Sequence, residues 1–205
     1  MRIVQIIDSL EAGGAERMAI NYANALADRI EFSGLVVTRQ EGALFDHIDT
    51  GVSYFYLDRK KTFDFKALVI LRKYIIHNRV GIVHAHGTSF FIATVLKLIY
   101  PKVKIVWHEH YGAREKQTTK DNLVLLFSSL FFSSVFVVNH QLEIWCKKNL
   151  FSKRVYYISN FVISEKSQLI EVTKLKGNEG KRIVCVANLK NPKNHIALLI
   201  AFEQM

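Results

Sequence analysis

Short apolar runs recur along the chain at nearly regular spacing, and most are continuous rather than alternating with polar residues. Seven of them precede residue 160: Ile3–Ile7, Phe32–Thr38, Ser53–Leu57, Ile82–His84, Lys104–Trp107, Val135–Val138 and Val155–Ile158. Continuous apolar runs are typical of strands that are covered on both faces, as in a parallel sheet. Segments with helical spacing separate most of these runs: Ala15–Ala27, Phe65–His77, Ser89–Ile99, Asp121–Phe132 and His140–Asn149. The alternation predicts an α/β fold with a Rossmann-like, doubly wound parallel sheet.

The pattern changes after residue 163, and we therefore predict three regions. Residues 1–163 form a first domain, the polar residues 164–180 form a linker, and residues 181–205 begin a second Rossmann-like domain. In the third region Arg182–Ala187 is a predicted strand, and an apolar helix begins at Ile196. One strand and part of one helix cannot bury a core. We interpret the chain as a fragment or a natural truncation of a longer protein.

Composition narrows the class of protein. Half of the 205 residues are hydrophobic and 22% are charged, which is typical of a globular chain. The two cysteines, Cys146 and Cys185, are far apart and lie outside any Cys-x-x-Cys or Cys/His cluster. We therefore expect neither a disulfide framework nor a cysteine-based zinc site. Unpaired cysteines are typical of proteins in the reducing cytoplasm. The first residues lead directly into a strand and show no signal-peptide pattern.

The net charge of +10 bears on possible partners. A basic surface favours phosphorylated ligands, anionic lipid or nucleic acid. The sequence has no recognisable nucleic-acid-binding motif, so we expect no nucleic-acid partner.

The apolar stretch Leu123–Val138 is shorter than the roughly 20 residues of a spanning helix. We interpret it as a buried helix and strand, with peripheral contact between the helix and a membrane surface as the alternative.

Polar residues and glycines gather where the predicted strands end. The first strand leads into Gly13-Gly14, the kind of turn that presents backbone N–H groups at a helix N-terminus and makes positive φ available. Five of the eight histidines follow later strands: His84, His86, His108, His110 and His140. In open α/β sheets, ligands bind beyond the carboxyl ends of the strands. The sequence therefore predicts a polar cleft at this edge.

Metal binding is the competing interpretation of the histidines. The candidates are His84 with His86, and His108 and His110 with Glu109. Histidines two residues apart share one face of a strand and could converge on an ion. The sequence lacks an HExxH motif, a cysteine partner and a fixed carboxylate set. We therefore expect no metal.

Five segments, in order, resemble glycosyltransferase family 4, a group of retaining enzymes with the two-domain GT-B fold. They are Gly13-Gly14-Ala15-Glu16-Arg17, Val83-His84-Ala85-His86-Gly87, His108-Glu109-His110-Tyr111-Gly112, the segment from Val155 to Val162, and the segment from Val186 to His195. Each segment alone is weak, but their order and spacing are fairly specific for the family. The resemblance covers nearly the whole chain and implies the N-terminal domain of a GT-B protein plus the first strand and helix of the C-terminal domain.

The resemblance also implies roles for particular residues. His110 would lie at the reacting sugar and act as the catalytic residue. Donor or substrate binding would fall to Gly13, Gly14, Glu16, His86, Glu109, Asn160 and Lys193, with Lys193 contacting the donor diphosphate from the second domain. The chain departs from the family where Asn188 replaces a frequent arginine, which leaves Lys190 as a substitute, and where Asn139 replaces a serine. The family's paired glutamates lie beyond Met205.

The implied reaction moves a sugar from a nucleotide-diphosphate sugar to a saccharide or lipid-linked acceptor, in polysaccharide or glycolipid synthesis. Backbone N–H groups and lysines can stabilise a leaving diphosphate without a metal cofactor. We expect a cytoplasmic protein, peripheral at the membrane, and little activity from this chain alone. Two alternatives stay open. One is a non-catalytic nucleotide- or membrane-binding module. The other is an NAD-type oxidoreductase, which the missing GxGxxG pattern disfavours.

Overall fold

The structure is a computed structural model, and its residues fall into two compact units, Met1–Ser164 and Glu165–Met205. It describes residues 1–112, 114, 122–162, 174, 176–178, 180–187, 189 and 193–204. The predicted domain limits at residues 163 and 181 stay predictions, and most of the predicted linker lies outside the described residues.

Seven parallel strands form one sheet in the first unit. They are β1 (Arg2–Ser9), β2 (Phe32–Gln40), β3 (Ser53–Tyr56), β4 (Ile82–His86), β5 (Lys104–Glu109), β6 (Phe132–Val137) and β7 (Val155–Tyr157). Their order across the sheet is β3-β2-β1-β4-β5-β6-β7, and every neighbouring pair is parallel. All seven strands coincide with predicted runs. The predicted Rossmann-like α/β fold is confirmed.

Among the described residues of the first unit, five α-helices connect these strands: α1 (Gly14–Ala27), α2 (Phe65–His77), α3 (Phe90–Ile99), α4 (Leu123–Ser128) and α5 (His140–Asn149). The bounds of α2 and α5 match the prediction. Side-chain caps help to explain this match, because Asp64 accepts a hydrogen bond from the Ala67 N–H and Asn139 accepts one from the Leu142 N–H. The predicted start of the fourth helix, Asp121, lies outside the described residues.

The helices cover the two faces of the sheet unequally. Residues of α2, α3, α4 and α5 pack with one set of strand side chains, among them Val4, Val83 and Trp107, in the larger core cluster. On the opposite face, α1 packs Ala19, Ile20 and Ala23 against side chains of β1 and β2 in a smaller cluster. The face of β1 that α1 covers also presents Gln5, a buried polar residue within an apolar strand.

The second unit differs from the prediction in one respect. The predicted strand Arg182–Ala187 is in no strand, and its described residues are exposed. A strand requires a hydrogen-bonded neighbour, and none of the described residues of this unit forms a strand to pair with it. The predicted helix does form, as α6 (His195–Glu203), with an exposed surface on all sides.

Candidate functional site

The candidate site lies at the carboxyl ends of β1, β4 and β5, which are neighbours in the sheet. The chain adds strands on one side of β1 as far as β3 and then crosses over to β4 on the other side. The pair β1–β4 is therefore the switch point of the fold, where the connecting loops diverge and leave a crevice. Gly13, Gly14, His86 and His110 all follow these strands, as the sequence predicted for a cleft.

The glycine turn presents the N-terminus of α1. Gly13 is the N-cap residue, and no side chain caps the helix. Gly13 has an extended backbone with φ −160° and Gly14 has no positive φ, so the positive φ that glycine makes available is not used. A Cβ added to Gly13 would lie 2.1 Å from Glu16 Oε2, whereas one added to Gly14 would meet nothing within 4 Å. Gly13 thus makes room for the Glu16 carboxylate, and Gly14 leaves the end of the helix open.

Three buried histidines and a fourth at the rim stack beneath this turn. In the sheet, His86 is directly opposite His108, and His84 is opposite Gln5. The His84 and His108 rings are parallel with centroids 5.3 Å apart, and the His108 and His110 rings stack at 4.1 Å. We call His84, His86, His108 and His110 the histidine stack.

Two aromatic side chains enclose the histidine stack. Tyr22 of α1 contacts His84 edge-to-face with ring centroids 4.9 Å apart, and it contacts His108 in the same way at 5.6 Å. From β6, Phe136 contacts the same two rings at 5.4 and 5.9 Å. Tyr22 was not predicted as a site residue, because in the sequence its position on the inner face of α1 is indistinguishable from that of an ordinary core residue.

A line of hydrogen bonds connects the rim to the sheet interior. His86 Nε2 lies 2.9 Å from Gln5 Oε1, and His86 Nδ1 lies 3.0 Å from His110 Nε2. An amide oxygen only accepts, so with this orientation of the Gln5 amide the His86 proton is on Nε2. The His86 Nδ1 then accepts from His110 Nε2–H, which leaves the His110 Nδ1 lone pair available. Gln5 therefore sets the tautomers of both histidines.

The histidine stack is uncharged at neutral pH. Burial, with the neighbouring His110, lowers the pKa of His84 to about 3, and burial lowers the pKa of His110 to about 4. Burial and the other imidazoles also lower the pKa of His86 and of His108. The described contacts of the four rings include no carboxylate that could stabilise an imidazolium. The stack can therefore donate and accept hydrogen bonds but does not supply a cation at pH 7.

A second polar group at the same edge centres on Asp8, which lies near the end of β1. Its Oδ1 accepts hydrogen bonds from Thr38 Oγ1 at 2.5 Å and from the buried Arg59 at 3.2 Å. Its Oδ2 accepts from Thr88 Oγ1 at 2.6 Å. Asp8 thus links the ends of β1, β2 and β4 and the segment after β3, and so fixes the loops that form the crevice. In the sequence, the feature that points to Asp8 is a carboxylate directly after the apolar run Ile3–Ile7.

Glu109 is not brought together with the other predicted site residues. Alternation along β5 directs it to the face opposite His108. There it accepts hydrogen bonds from the buried Arg114 guanidinium and, at 2.8 Å, from the Tyr111 N–H. Burial raises the pKa of Glu109, while Arg114 opposes this shift. The arrangement is that of a buried ion pair, and the predicted substrate role of Glu109 stays a prediction.

The remaining predicted residues lie in two places. Asn160 is exposed, and the next residue, Phe161, packs edge-to-face on Tyr22 at 5.0 Å and accepts a hydrogen bond from Asn21 at 2.7 Å. This packing places the segment around Asn160 beside α1 and the histidine stack. Lys193 is exposed in the second unit, directly before α6. The predicted donor contacts of Lys193 stay a prediction, and Asn188 and Lys190 lie outside the described residues.

An apolar surface adjoins the crevice. Phe63 in the loop after β3 and Phe65 at the start of α2 are 78% and 80% exposed. Phe63 packs edge-to-face on Phe91, at the start of α3, with ring centroids 5.3 Å apart. These three phenylalanines, with Leu68 and Val95, line a shallow pocket. Among the described residues, no helix has the length and apolar character needed to cross a membrane.

Fold and site together define a Rossmann-like α/β domain with polar side chains gathered at its switch point. The family model for Glycosyltransferase Family 4 matches residues 12–166, most of the chain. The chain therefore belongs to glycosyltransferase family 4, as the sequence motifs predicted.

Individual relatives agree with this family. The chain is 21% identical over 216 residues to the capsular polysaccharide biosynthesis glycosyltransferase CapH of Staphylococcus aureus, covering 99% of the chain and 58% of that protein. Among solved structures it resembles Anabaena Alr3699/HepE in complex with UDP and glucose, with a TM-score of 0.59, 18% identity and coverage of 78% and 44%. It also resembles the UDP-GlcNAc 2-epimerase of Methanocaldococcus jannaschii, with a TM-score of 0.55, 8% identity and coverage of 78% and 46%. The chain thus spans about half the length of these proteins, and the two structures support the fold alone.

Proposed function

We propose that this chain supplies the acceptor-side domain of a retaining glycosyltransferase that uses a nucleotide-diphosphate sugar. The main support is that an uncapped helix N-terminus follows β1 and His110 follows β5, both at the carboxyl edge of the sheet in a family 4 domain. The proposed product is a cell-surface polysaccharide or glycolipid, in keeping with the name of the staphylococcal relative.

Each part of the crevice has a role in this proposal. The N–H groups of Gly14 and Ala15 at the start of α1 would stabilise negative charge on the donor phosphates or sugar hydroxyls. His110 would position the reacting sugar through the Nδ1 lone pair that the Gln5–His86 hydrogen bonds leave available. Because these groups are fixed before the ligand arrives, they stabilise a transition state without reorganisation.

The donor half of the proposed site belongs to a second domain, of which Lys193 would be one member. We expect the 205-residue chain to transfer little or no sugar by itself. The test incubates the purified chain, and the longest reading frame that contains it, with labelled UDP- and GDP-sugars and membrane lipid acceptors. Transfer by the short chain at the rate of the longer protein would contradict the incomplete donor site.

The role of His110 is tested by mutation in whichever protein is active, the 205-residue chain or the longer reading frame. We expect His110→Ala to lower kcat by about 10²–10³-fold, the usual effect of removing one preorganised transition-state contact. His77→Ala is the matched control, because His77 is exposed at the end of α2. Equal kcat values for His110→Ala and the unchanged protein would exclude the catalytic role. Binding of NAD(H) without binding of nucleotide sugars would instead favour an oxidoreductase.

A lipid-linked acceptor is the better-supported of the two acceptor classes, with peripheral membrane contact through the loop after β3. Lys60 and Lys61 of this loop and Lys66 in the first turn of α2 are exposed, beside the exposed Phe63 and Phe65. Basic residues attract an anionic leaflet by about 1 kcal/mol each, and inserted aromatic rings add apolar burial. The loop lies next to the crevice, so membrane docking there would bring a lipid-linked acceptor to the site.

Vesicle flotation tests this contact. The unchanged chain should bind vesicles that contain anionic lipid and should lose binding in high salt. The double variant Phe63→Ser/Phe65→Ser should bind several-fold less. Phe127→Ser serves as the comparison, because Phe127 lies on the exposed apolar side of α4, the helix that the sequence suggested for membrane contact. Loss of binding in Phe127→Ser alone would move the contact from the loop to α4.

A further inference from the structure

The interior of the histidine stack brings ring nitrogens from three histidines close together. His84, His86 and His108 each offer one ring nitrogen, and these three atoms lie within 4.8 Å of one another. All three side chains are at least nine-tenths buried. They come from two neighbouring strands, β4 and β5, so the sheet itself holds them in register.

Several of these nitrogens have no hydrogen-bond partner. They are His84 Nε2 and both ring nitrogens of His108. A buried polar atom left unpaired costs about 1–3 kcal/mol, and native proteins contain few of them. Three such atoms in one cluster therefore call for a ligand. A neutral imidazole offers one lone pair in the ring plane, so a bound cation would satisfy His84 Nε2 and one of the two His108 nitrogens.

We propose that His84, His86 and His108 bind a divalent transition-metal ion of the zinc class. Two imidazoles on one tetrahedral zinc have ligand nitrogens roughly 3.3 Å apart, from Zn–N distances of about 2.0–2.1 Å. The ion would replace the 3.0 Å hydrogen bond that His86 Nδ1 accepts from His110 Nε2 in the metal-free protein. Rotation of the other imidazoles would shorten the wider separations.

The surroundings of His86 match those of a metal ligand. Metal-bound histidines generally donate their second ring N–H to an oxygen, which fixes the tautomer and the ring direction. His86 Nε2–H donates to Gln5 Oε1 at 2.9 Å and so directs Nδ1 towards the cluster. This contact also explains why β1 has a buried glutamine at this point of an apolar strand.

The donor set selects the kind of metal. Imidazole nitrogen suits zinc, copper, nickel and cobalt, whereas magnesium and calcium require oxygen ligands. The described contacts of the three rings are with other imidazoles, with Gln5 Oε1 and with the aromatic rings of Tyr22 and Phe136. An enclosed site of this kind would join β4 to β5 directly below the crevice.

Metal binding to the tag-free, 205-residue chain tests the proposal independently of sugar transfer. The protein is stripped with EDTA, dialysed, and titrated separately with Zn²⁺ and with Co²⁺. We expect one equivalent of zinc bound with submicromolar affinity, a higher Tm, and the visible absorption bands of tetrahedral Co²⁺. Less than stoichiometric binding by the folded protein would overturn the proposal and leave the stack as a neutral packing element that orients His110.

Three variants assign the ion to this cluster. His108→Phe removes a ligand but keeps an aromatic ring, and it should abolish the cobalt spectrum. Gln5→Leu should weaken the affinity about 10–100-fold, the usual effect of losing an outer contact to a ligand. His77→Ala should bind as the unchanged protein does. If His108→Phe fails to fold, the assignment is tested by the zinc stoichiometry of the unchanged protein and by the zinc affinity of Gln5→Leu. An unchanged zinc affinity in Gln5→Leu would refute the assignment.

Discussion

Acid should unfold this domain at a pH where most globular proteins are still stable. The four histidines of the stack are neutral in the folded protein because burial lowers the pKa of each. In the unfolded chain each histidine returns to a pKa of about 6.5. Below that pH the unfolded state binds more protons than the folded state. The free energy of unfolding therefore falls as the pH decreases through 6.5 and continues to fall towards the folded-state pKa values.

The size of the effect follows from this difference in proton binding. Between pH 7.0 and pH 5.5, one histidine with an unfolded pKa of about 6.5 and no folded-state protonation costs about 1.2 kcal/mol of stability. Four such histidines cost about 5 kcal/mol. This loss is comparable to the whole stability of a small domain, about 5–15 kcal/mol. Carboxylates contribute little over this range, because their unfolded pKa values are near 4.

The loss of stability is measured by urea unfolding of the metal-free protein in EDTA. Unfolding is followed by circular dichroism at pH 7.0, 6.5, 6.0 and 5.5. We expect the free energy of unfolding to decrease with a slope that steepens below pH 6.5. His84→Phe should reduce the total loss by about one quarter, the share of one histidine, while His77→Ala serves as the exposed comparison. A total loss below the roughly 1.2 kcal/mol of a single histidine would refute the neutral, buried state of the stack.

Two further predictions concern stability away from the crevice. Arg114→Met leaves the Glu109 carboxylate buried without its cation. We expect it to lower the free energy of unfolding at pH 7 by about 3–5 kcal/mol, measured with urea. An equal loss in the double variant Arg114→Met/Glu109→Gln would contradict this reason. Gly42→Ala should be strongly destabilising, because its Cβ would lie 2.5 Å from the Leu10 and Glu11 backbone, whereas Gly81→Ala meets nothing within 4 Å. Similar Tm values for these two glycine variants would refute the steric explanation.

Periodicity was sufficient to predict the elements of the first unit. Continuous apolar runs located all seven strands. The inner strands are largely buried, as such runs predict, whereas the edge strands β3 and β7 are more exposed. The run Arg182–Ala187 has the same pattern and forms no strand. The difference is that a strand depends on a hydrogen-bonding neighbour elsewhere in the chain, which local periodicity does not reveal.

The sequence predicted where in the fold the candidate site lies, but it did not predict most of the side-chain contacts within the site. Strand ends indicated the correct edge of the sheet and brought His86 and His110 together. Alternation along β5 could have separated Glu109 from His108 in advance, since neighbouring residues of a strand face opposite sides. The partners of the stack, Gln5 and Tyr22, come from elements distant in sequence, and only the register of β1 with β4 and the packing of α1 bring them there.

The hydrogen-bonded line from Gln5 through His86 to His110 also has a consequence for how related sequences can diverge. Each member fixes the proton position of the next, so a change at one end alters what the other end can donate or accept. Replacing Gln5 by a residue that only donates would move the His86 proton to Nδ1 and leave His110 to accept there. Homologues that change Gln5 should therefore change His86 or His110 as well, and the three positions should covary across the family.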